Sequence, residues 1–395
     1  MEEVINISDF PTDKIYILLE EDYRKKLFHL SLAKLGCKSY YDLSIIINKR
    51  YLTKMNGGDI SYWIDGQRLD KRTGIMHPKF IPLWLVMFLV KENNISLDIL
   101  HKKVIAYRSG GKGLIINNPI LPIKITPELD SIIIHMFCDG CAGEFTPSYF
   151  QKNKEPFDNF IKKLENCFGQ FNKSIYEIKN AYQVKFPKAI MDILSSYYNI
   201  KSYMSYESCI PNKILKRNDL EFKLACIVAF IVDEGNIRDV ISLYSVNDKL
   251  LLGIRKLIMD CGYNCSKLQY NIKSKSYLVS LSTKDVEKLH KDVEKLSKNF
   301  PTCDLSFKNE RLEFLINRRK IKNPRDKEIT IKVISNLLNN HPLSALDISK
   351  KSNYAYCTII HNLEKLYKQG KAMRIKTPNN KTFIWSLVNA ESTKR

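Results

Sequence analysis

Two acidic residues stand out because each follows a long apolar segment and precedes a glycine. Asp139-Gly140 ends ELDSIIIHMFCDG and Glu234-Gly235 ends EFKLACIVAFIVDEG, at an offset of 95 (234 − 139). Two carboxylates brought together repel each other unless a cation lies between them. Mg²⁺ binds through one or two carboxylates plus phosphate oxygens and activates water for phosphodiester hydrolysis. The pattern indicates such a metal centre; the alternative is two exposed acids at helix ends, where they would oppose the helix dipole.

The segment around the acids is duplicated. Tyr182 in AYQVKF and Tyr277 in SYLVSL each follow an acid by 43 residues. Each unit is predicted to run helix, strands, helix, strands, helix. Helices that are apolar all round must be buried, so a pseudo-twofold arrangement would place the two apolar helices side by side. Asp139 and Glu234 would then meet at the floor of a groove.

At these residues the chain resembles the LAGLIDADG homing endonuclease family in its two-repeat monomeric form. The nine motif positions read IIIHMFCDG at 132–140 and IVAFIVDEG at 227–235. The resemblance covers about 195 residues and implies an α+β fold, a saddle of two αββαββα-type halves. It also implies that double-stranded DNA is bound and cut with Mg²⁺ or Mn²⁺. The family's catalytic, metal-binding acids map onto Asp139 and Glu234, and the closing glycines of the metal site onto Gly140 and Gly235.

The family also carries a lysine after the first repeat, in a Lys-Ser stretch that leads to Ile-Pro. NIKSYMSYESCIPNKIL makes Lys201 the match, and in the second half DLSFKNERLEFL makes Lys308 the nearest candidate. Such a lysine would orient or deprotonate the attacking water and offset phosphate charge. The motif departs from the family at positions two and three, where small residues normally allow close helix packing. Here those positions carry bulkier residues in the first motif than in the second: Ile133 and Ile134, against Val228 and Ala229.

The charge balance favours a nucleic-acid partner. The chain carries 63 Lys plus Arg against 42 Asp plus Glu, for a net charge of +21, and such an excess suits phosphate neutralisation; the alternative is a lysine-rich solvated surface. By the resemblance, the strands lining the groove should present polar and basic side chains to DNA. The residues that fit are Gln151, Lys152, Lys154, Lys173, Lys179, Tyr244, Lys267, Gln269, Lys273 and Lys275.

Two flanking segments also predict DNA-binding elements. Short helices within 27–100 suggest a helix-turn-helix-like domain, with Ser61, Tyr62 and Arg68 as candidate contacts. Residues 327–388 predict three helices and a basic hairpin, the winged-helix pattern, with Lys371, Arg374 and Lys376 on the wing. The alternatives are a plain helical bundle and a dimerisation wing. The glycine-containing stretch between the first segment and the repeats is expected to be a flexible basic linker.

The expected domains are a helical, helix-turn-helix-like one at 1–105, a linker at 106–124, the repeats at 125–215 and 216–320, and a winged helix at 327–390. No signal peptide or membrane-spanning pattern is seen, which predicts a cytoplasmic protein. The internal repeat predicts a monomer, and the absence of intein splicing residues at Met1 and ESTKR predicts a free-standing protein.

Ten cysteines without a framework spacing favour reduced thiols. A zinc site formed by Cys138, Cys141, Cys261 and Cys265 is the less favoured alternative. For function, the retained acids favour an endonuclease over a regulator that binds DNA on the same fold, as bacterial sporulation regulators do. A maturase acting on RNA introns is a third class, but the chain shows no aromatic platform for single strands.

Overall fold

The computed structural model describes residues 3–65, 67–69, 76–110, 113–144, 146–178, 180–320, 327–376 and 383–388. Within these ranges, no helix is both long and apolar enough to cross a membrane.

The N-terminal part combines helices with a sheet. Its elements are β1 (Val4–Ile5), β2 (Ile15–Leu19), α1 (Glu21–Lys34), α2 (Tyr40–Tyr51), α3 (Gly57–Asp65), β3 (Gln67–Leu69), β4 (Met76–Pro78), β5 (Ile81–Pro82), α4 (Leu83–Glu92), α5 (Leu97–Lys103), β6 (Val104–Ser109), β7 (Ile116–Asn117) and β8 (Ile123–Lys124). A capping box starts α2, since the Ser39 side chain accepts from the Asp42 amide and the Asp42 side chain accepts from the Ser39 amide. The α2 helix packs against α3.

The N-terminal part, for which the sequence predicts a helical domain, contains a sheet as well as helices. The strand β2 alternates buried and half-buried residues, and it lies between β5 and β6 in a five-stranded sheet. Residues 106–124, expected to be a flexible linker, instead contribute β7, β8 and most of β6. Residues 170–171 of the first repeat form the edge of the same sheet by pairing with β7. Short strands of this kind carry little local signal, because their partners are remote in sequence.

The first repeat contains α6 (Pro127–Cys138), β9 (Gly140–Cys141), β10 (Ser148–Gln151), α7 (Lys154–Phe168), β11 (Gln170–Phe171), β12 (Ser174–Ile178), β13 (Ala181–Lys185), α8 (Lys188–Tyr198) and α9 (Asn212–Leu215). The second contains α10 (Leu220–Glu234), β14 (Gly235–Ile237), β15 (Ile241–Ser245), α11 (Asp248–Asp260), β16 (Gln269–Asn271), β17 (Ser276–Ser280), α12 (Val286–Asn299) and α13 (Asn309–Lys320).

The two repeats share one topology. Their antiparallel sheets have the strand orders β12-β13-β10-β9 and β16-β17-β15-β14. In both, a helix precedes the first strand, a second helix lies between the two strand pairs, and a third follows the last strand. The sequence repeat is therefore a structural repeat as well.

The helices α6 and α10 pack against each other at the centre of the molecule. Thr126 caps the start of α6 and Asp219 caps the start of α10, in each case by accepting a backbone N–H. Both helices are buried over most of their length, as their apolar sequences require. Ile133, Ile134, Val228 and Ala229 are all buried, and the bulkier residues of the first motif do not prevent the two helices from packing.

The C-terminal part has a hydrophobic core of its own around Trp385. Its elements are α14 (Lys327–Asn340), β18 (Leu343–Ser344), α15 (Ala345–Ser352), α16 (Tyr356–Lys368), β19 (Ala372–Lys376) and β20 (Phe383–Leu387). The three strands pair in the order β18-β20-β19. This part contacts the second repeat where the Asp239 carboxylate accepts the backbone N–H groups of Tyr356 and Cys357 at 3.0 and 3.1 Å.

Candidate metal centre and nucleic-acid interface

Asp139 and Glu234 lie at equivalent ends of the two central helices. Asp139 follows the last residue of α6, and its N–H donates to the His135 carbonyl at 3.0 Å. Glu234 is the last residue of α10, and the next N–H, that of Gly235, donates to the Ile231 carbonyl. Burial raises the pKa of each carboxyl group to about 7, and neighbouring carboxylates add to the increase. The acids are therefore partly desolvated and close enough to repel.

Gly140 and Gly235 allow the strand that each one begins to start in close contact with the preceding helix. A Cβ atom on Gly140 would lie 2.5 Å from the Cα of Met136, and one on Gly235 would lie 2.5 Å from the Ile231 carbonyl oxygen. Met136 and Ile231 occupy the same motif position, so the two glycines have the same steric role. Their contribution to the centre is this close approach of backbones.

The Lys308 side chain caps the C-terminal end of α10. Its Nζ atom, in a side chain that is almost fully buried, donates to the carbonyl oxygens of Ile231, Val232 and Gly235, each at 2.6 Å. Burial lowers the pKa of Lys308 to about 8, and the Asp233 carboxylate opposes that decrease. The Gly235 carbonyl, which the sequence analysis assigned to the metal site, accepts a hydrogen bond from this ammonium group.

A third acid, Asp233, lies at the same floor and was missed by the sequence reasoning. Its side chain is fully buried; it contacts His135 Nδ1 at 2.8 Å and accepts from the Tyr149 hydroxyl at 2.8 Å and from Gln151 Nε2 at 3.2 Å. Burial raises the pKa of Asp233 to about 7, while the Tyr149 hydrogen bond opposes the increase. The sequence signal that could have identified Asp233 is its position directly before Glu234 in an apolar, buried helix.

Strand pairing shows which side chains share a face with the acids. The Phe150 N–H donates to the Asp139 carbonyl, and Gly140 pairs with Tyr149, so Phe150 lies opposite Asp139. Lys152 follows the last residue of β10 and lies close enough to Asp139 for its positive charge to oppose the increase in the pKa of Asp139 that burial causes. Lys152 is exposed.

The second repeat places different groups beside its acid. Since Gly235 pairs with Leu243, Glu234 lies opposite Tyr244. Both line a cavity of about 160 Å³, which Phe137, Ser205 and Ser276 also line. The half of the floor around Glu234 therefore presents hydroxyl groups where the half around Asp139 presents a lysine.

Lys201 does not join the acids. Its side chain is exposed, and none of the described residues accepts a hydrogen bond from its Nζ atom. Its loop does reach the floor, because the Tyr203 ring lies 5.4 Å from the Phe137 ring and Ser205 lines the cavity. The structure thus brings Lys308 to the centre and leaves Lys201 at the surface.

The predicted DNA contacts divide into three groups. Gln151 is buried and bonded to Asp233, so it is not presented to the groove. Two lysines are exposed but ion-paired: Lys154 with Asp158 at 2.8 Å, and Lys173 with Glu165. Tyr244 is half-buried, and Lys179 lies outside the described residues. The predicted contacts that are exposed and not ion-paired are Lys152, Lys267, Gln269, Lys273 and Lys275.

The DNA contacts predicted in the N-terminal and C-terminal parts differ in exposure and in whether they are bonded to other side chains. Tyr62 is exposed on α3 beside half-buried Ser61, and the Arg68 side chain lies outside what the structure describes. Lys371 and Lys376 are exposed. Arg374 instead bonds Glu364 at 2.5 Å and lies over the Tyr367 and Phe383 rings, 4.7 Å from each centroid. Arg374 therefore contributes to packing within the C-terminal part.

The chemistry of the floor fits a divalent cation. Burial raises the pKa of Glu234, and the nearby Asp139 carboxylate raises it further, as a like charge does. Asp233 has both oxygens engaged, so two carboxylates are available, which is the number Mg²⁺ commonly uses alongside water and phosphate. Among the described residues, no group of three or more His, Cys, Asp or Glu side chains is arranged so that it could hold a metal ion. The zinc alternative built on Cys138, Cys141, Cys261 and Cys265 is therefore not supported.

Comparison with known proteins gave structural neighbours only. No family model matches the sequence, and no curated protein matches it. A variant of the homing endonuclease I-DmoI is 13% identical, covering 42% of this chain and 96% of its own, with a TM-score of 0.32. The homing endonuclease I-WcaI bound to its DNA recognition sequence is 16% identical, covering 43% and 81%, with a TM-score of 0.33. Full-length DUF199/WhiA from Thermatoga maritima is 12% identical, covering 62% and 90%, with a TM-score of 0.33.

Proposed function

We propose that this protein is a DNA-binding endonuclease of LAGLIDADG type that hydrolyses both strands of a long duplex site with Mg²⁺ or Mn²⁺. The observation that carries the proposal is the equivalent placement of Asp139 and Glu234 at the ends of two packed, buried helices. Each acid directly precedes the glycine that begins the first strand of its sheet, and the two sheets have equivalent strand orders. Both halves of the centre lie in one chain, so a monomer suffices.

Each residue of the floor has a separate task. Asp139 and Glu234 would hold the cation, which when bound would lower the pKa of water and neutralise phosphate charge. Lys308 keeps the end of α10 closed and places a positive charge beside the acids. Lys152, rather than Lys201, is the exposed cation beside Asp139, where it can orient water or meet a phosphate oxygen. Tyr244 borders the cavity next to Glu234.

The outer strands and their turns would follow the DNA on either side of the floor. Lys267, Gln269, Lys273 and Lys275 are exposed on or beside β16 and the turn that follows it. In the first repeat, Lys173 lies in the corresponding place before β12, but its charge is ion-paired with Glu165 and is not counted among these DNA-binding groups. Together with the net charge of +21, these groups support binding that releases counterions and weakens with salt.

The flanking parts are proposed to lengthen the DNA site. In the C-terminal part three helices precede the antiparallel pair β19 and β20, and Lys371 and Lys376 are exposed at the first of these strands. This order supports a winged helix. In the N-terminal part α2 and α3 would form the helix-turn-helix-like pair, with Tyr62 exposed on α3.

A second candidate is a transcriptional regulator that binds DNA through the same fold without cutting it. One observation favours it: Lys308 already supplies a positive charge beside the three acids and satisfies three carbonyl groups. The floor can therefore persist without a cation. The two candidates share DNA binding and differ only in hydrolysis.

The deciding experiment is cleavage of a supercoiled plasmid library carrying genomic DNA, in Mg²⁺ or in EDTA. Wild type is compared with Asp139→Asn, Glu234→Gln and the control Glu287→Gln, which changes an exposed acid on α12. Metal-dependent linear product that is lost in the first two variants and kept in the control supports the endonuclease. Tight, salt-sensitive binding without cleavage in any condition would leave the regulator.

A further inference from the structure

A continuous chain of buried polar side chains connects the first repeat to the end of α10. Lys163 Nζ lies 2.9 Å from His135 Nε2, and His135 Nδ1 lies 2.8 Å from Asp233 Oδ2. The other oxygen of Asp233 accepts from Tyr149 and Gln151. Lys163 and His135 are 2% and 3% exposed, and the Asp233 side chain is fully buried. Polar groups this deeply buried are costly unless each one has a partner.

The chemistry of the groups fixes the direction of each hydrogen bond. An ammonium group only donates, so His135 Nε2 must accept from Lys163. The imidazole is then neutral with its proton on Nδ1, and that N–H donates to Asp233. Burial also holds the pKa of His135 well below its usual range. Asp233 is therefore a carboxylate whose charge is balanced by Lys163 across a neutral ring, and neither of its oxygens is free.

The chain continues to the edge of the acidic floor. Gln151 donates to Asp233 through Nε2, while its Oε1 atom accepts the backbone N–H of Lys152 at 2.8 Å. Lys152 is the exposed cation whose charge acts on Asp139. A residue of the second repeat is thus linked through the Gln151 side chain to the backbone of Lys152, the first residue after β10.

We propose that Asp233 is a positioning residue, which through Gln151 holds Lys152 beside Asp139 and whose charge is balanced by Lys163 through His135. The inference rests on the proposed function for its catalytic meaning. On this proposal, Asp233, the acid directly before Glu234, aligns the two halves of the floor with each other.

The hydrogen-bond direction is tested first, without DNA or metal. Protein labelled with ¹⁵N-histidine is examined by two-dimensional NMR, and the His135 signals are identified as those lost in His135→Gln. We expect a neutral ring with its proton on Nδ1 at pH 8, where Asp233 is ionised, no ring protonation near pH 6.5, and the loss of this tautomer in Lys163→Met. A proton on Nε2, or an ordinary protonation near pH 6.5, would overturn the proposal.

The charge balance is tested by a double-mutant cycle on the urea midpoint of unfolding. Lys163→Met and Asp233→Asn should each lower the midpoint, whereas the double variant should fall no further than the worse single variant, because both buried charges are gone. Lys162→Met, which changes the exposed neighbouring lysine, should leave the midpoint unchanged. Additive losses would contradict the balance. If Asp233→Asn does not fold, the wild-type NMR measurement still decides the direction of the bonds.

Positioning is tested by Mn²⁺ calorimetry on the full chain. Lys152→Met should tighten Mn²⁺ binding about fivefold in the wild-type background, because it removes a cation beside Asp139, and should have less than a twofold effect once Gln151→Ala breaks the link. An equal effect in both backgrounds would overturn the positioning role. If wild type neither binds Mn²⁺ nor cuts DNA, the endonuclease proposal and this catalytic meaning both fail. The NMR and unfolding results still decide separately whether the Lys163, His135 and Asp233 unit exists.

Discussion

The Nζ atom of Lys308 lies 2.6 Å from the carbonyl oxygen of Gly235, the residue that follows Glu234. The same ammonium group donates hydrogen bonds to two other carbonyl oxygens at the end of α10. A helix C-terminus carries partial negative charge and unsatisfied carbonyl groups, and here acids are added to it. Lys308 therefore compensates both the helix end and the acids.

Lys308→Met should destabilise the protein strongly. The change leaves three buried carbonyls without a charged donor and removes a cation from the acids, so we expect a loss of about 3 kcal/mol in the free energy of unfolding. Urea denaturation in EDTA measures it. The control is Lys298→Met, an exposed lysine on α12, and equal stability of the two variants would contradict the role given to Lys308.

Metal binding should depend on pH in one direction. Asp139 and Glu234 have pKa values near 7, and a carboxyl group must lose its proton before it binds a cation. Mn²⁺ affinity should therefore rise roughly tenfold or more between pH 6 and pH 8. Calorimetry at fixed ionic strength measures it. A constant affinity over that range would show that these carboxyl groups are not the ligands.

Neutralising one acid should stabilise the protein in the absence of metal. The folded-state pKa of Asp139 is raised from 3.8 to about 7, so the folded state holds a proton that the unfolded state has lost. Its favourable contribution is complete below pH 4 and disappears as the pH rises to about 7. A pKa shift of this size corresponds to roughly 4 kcal/mol. Burial is its main cause, and the amide that replaces the acid is also partly desolvated, so we expect a gain of about 2 kcal/mol. Asp139→Asn should be more stable than wild type by that amount at pH 8 in EDTA and equal to it at pH 4.

The two glycines should be equally intolerant of a side chain. Gly140→Ala and Gly235→Ala each place a Cβ within 2.5 Å of backbone atoms of the preceding helix turn. Backbone cannot move aside cheaply, so each variant should lose about 2 kcal/mol or more of the free energy of unfolding. Thermal unfolding in EDTA measures the loss. A stable Gly235→Ala beside an unstable Gly140→Ala would contradict their equivalence.

Salt dependence should identify the lysines that meet phosphate. Lys273→Gln with Lys275→Gln removes two exposed charges from the turn after β16, and the slope of log affinity against log salt should fall by about 2. The matched control is Lys154→Gln with Lys173→Gln, since both lysines are already ion-paired with acids of their own repeat. Fluorescence anisotropy on a duplex measures both. An unchanged slope for the first pair would remove that turn from the DNA interface.

Several features were predictable because their signals are local. The apolar segments that end at Asp139 and Glu234 show two buried helices, and each acid is followed by a glycine that starts a strand. The repeat was visible as well, because Tyr182 and Tyr277 open strands at the same distance from the acids. Helix and strand periods and the glycine positions depend on neighbouring residues, so sequence alone determined the duplicated unit and the two acids at its centre.

Tertiary structure decided which side chains join those acids. Lys308 reaches the floor from a segment more than 70 residues after Glu234, while Lys201, better matched by motif, stays at the surface. Gln151 faces inward to Asp233 because the register of β10 turns alternate residues to opposite sides. The N-terminal sheet depends on strands paired across long stretches of chain. Such contacts depend on the packing of remote segments, so only the folded chain shows them.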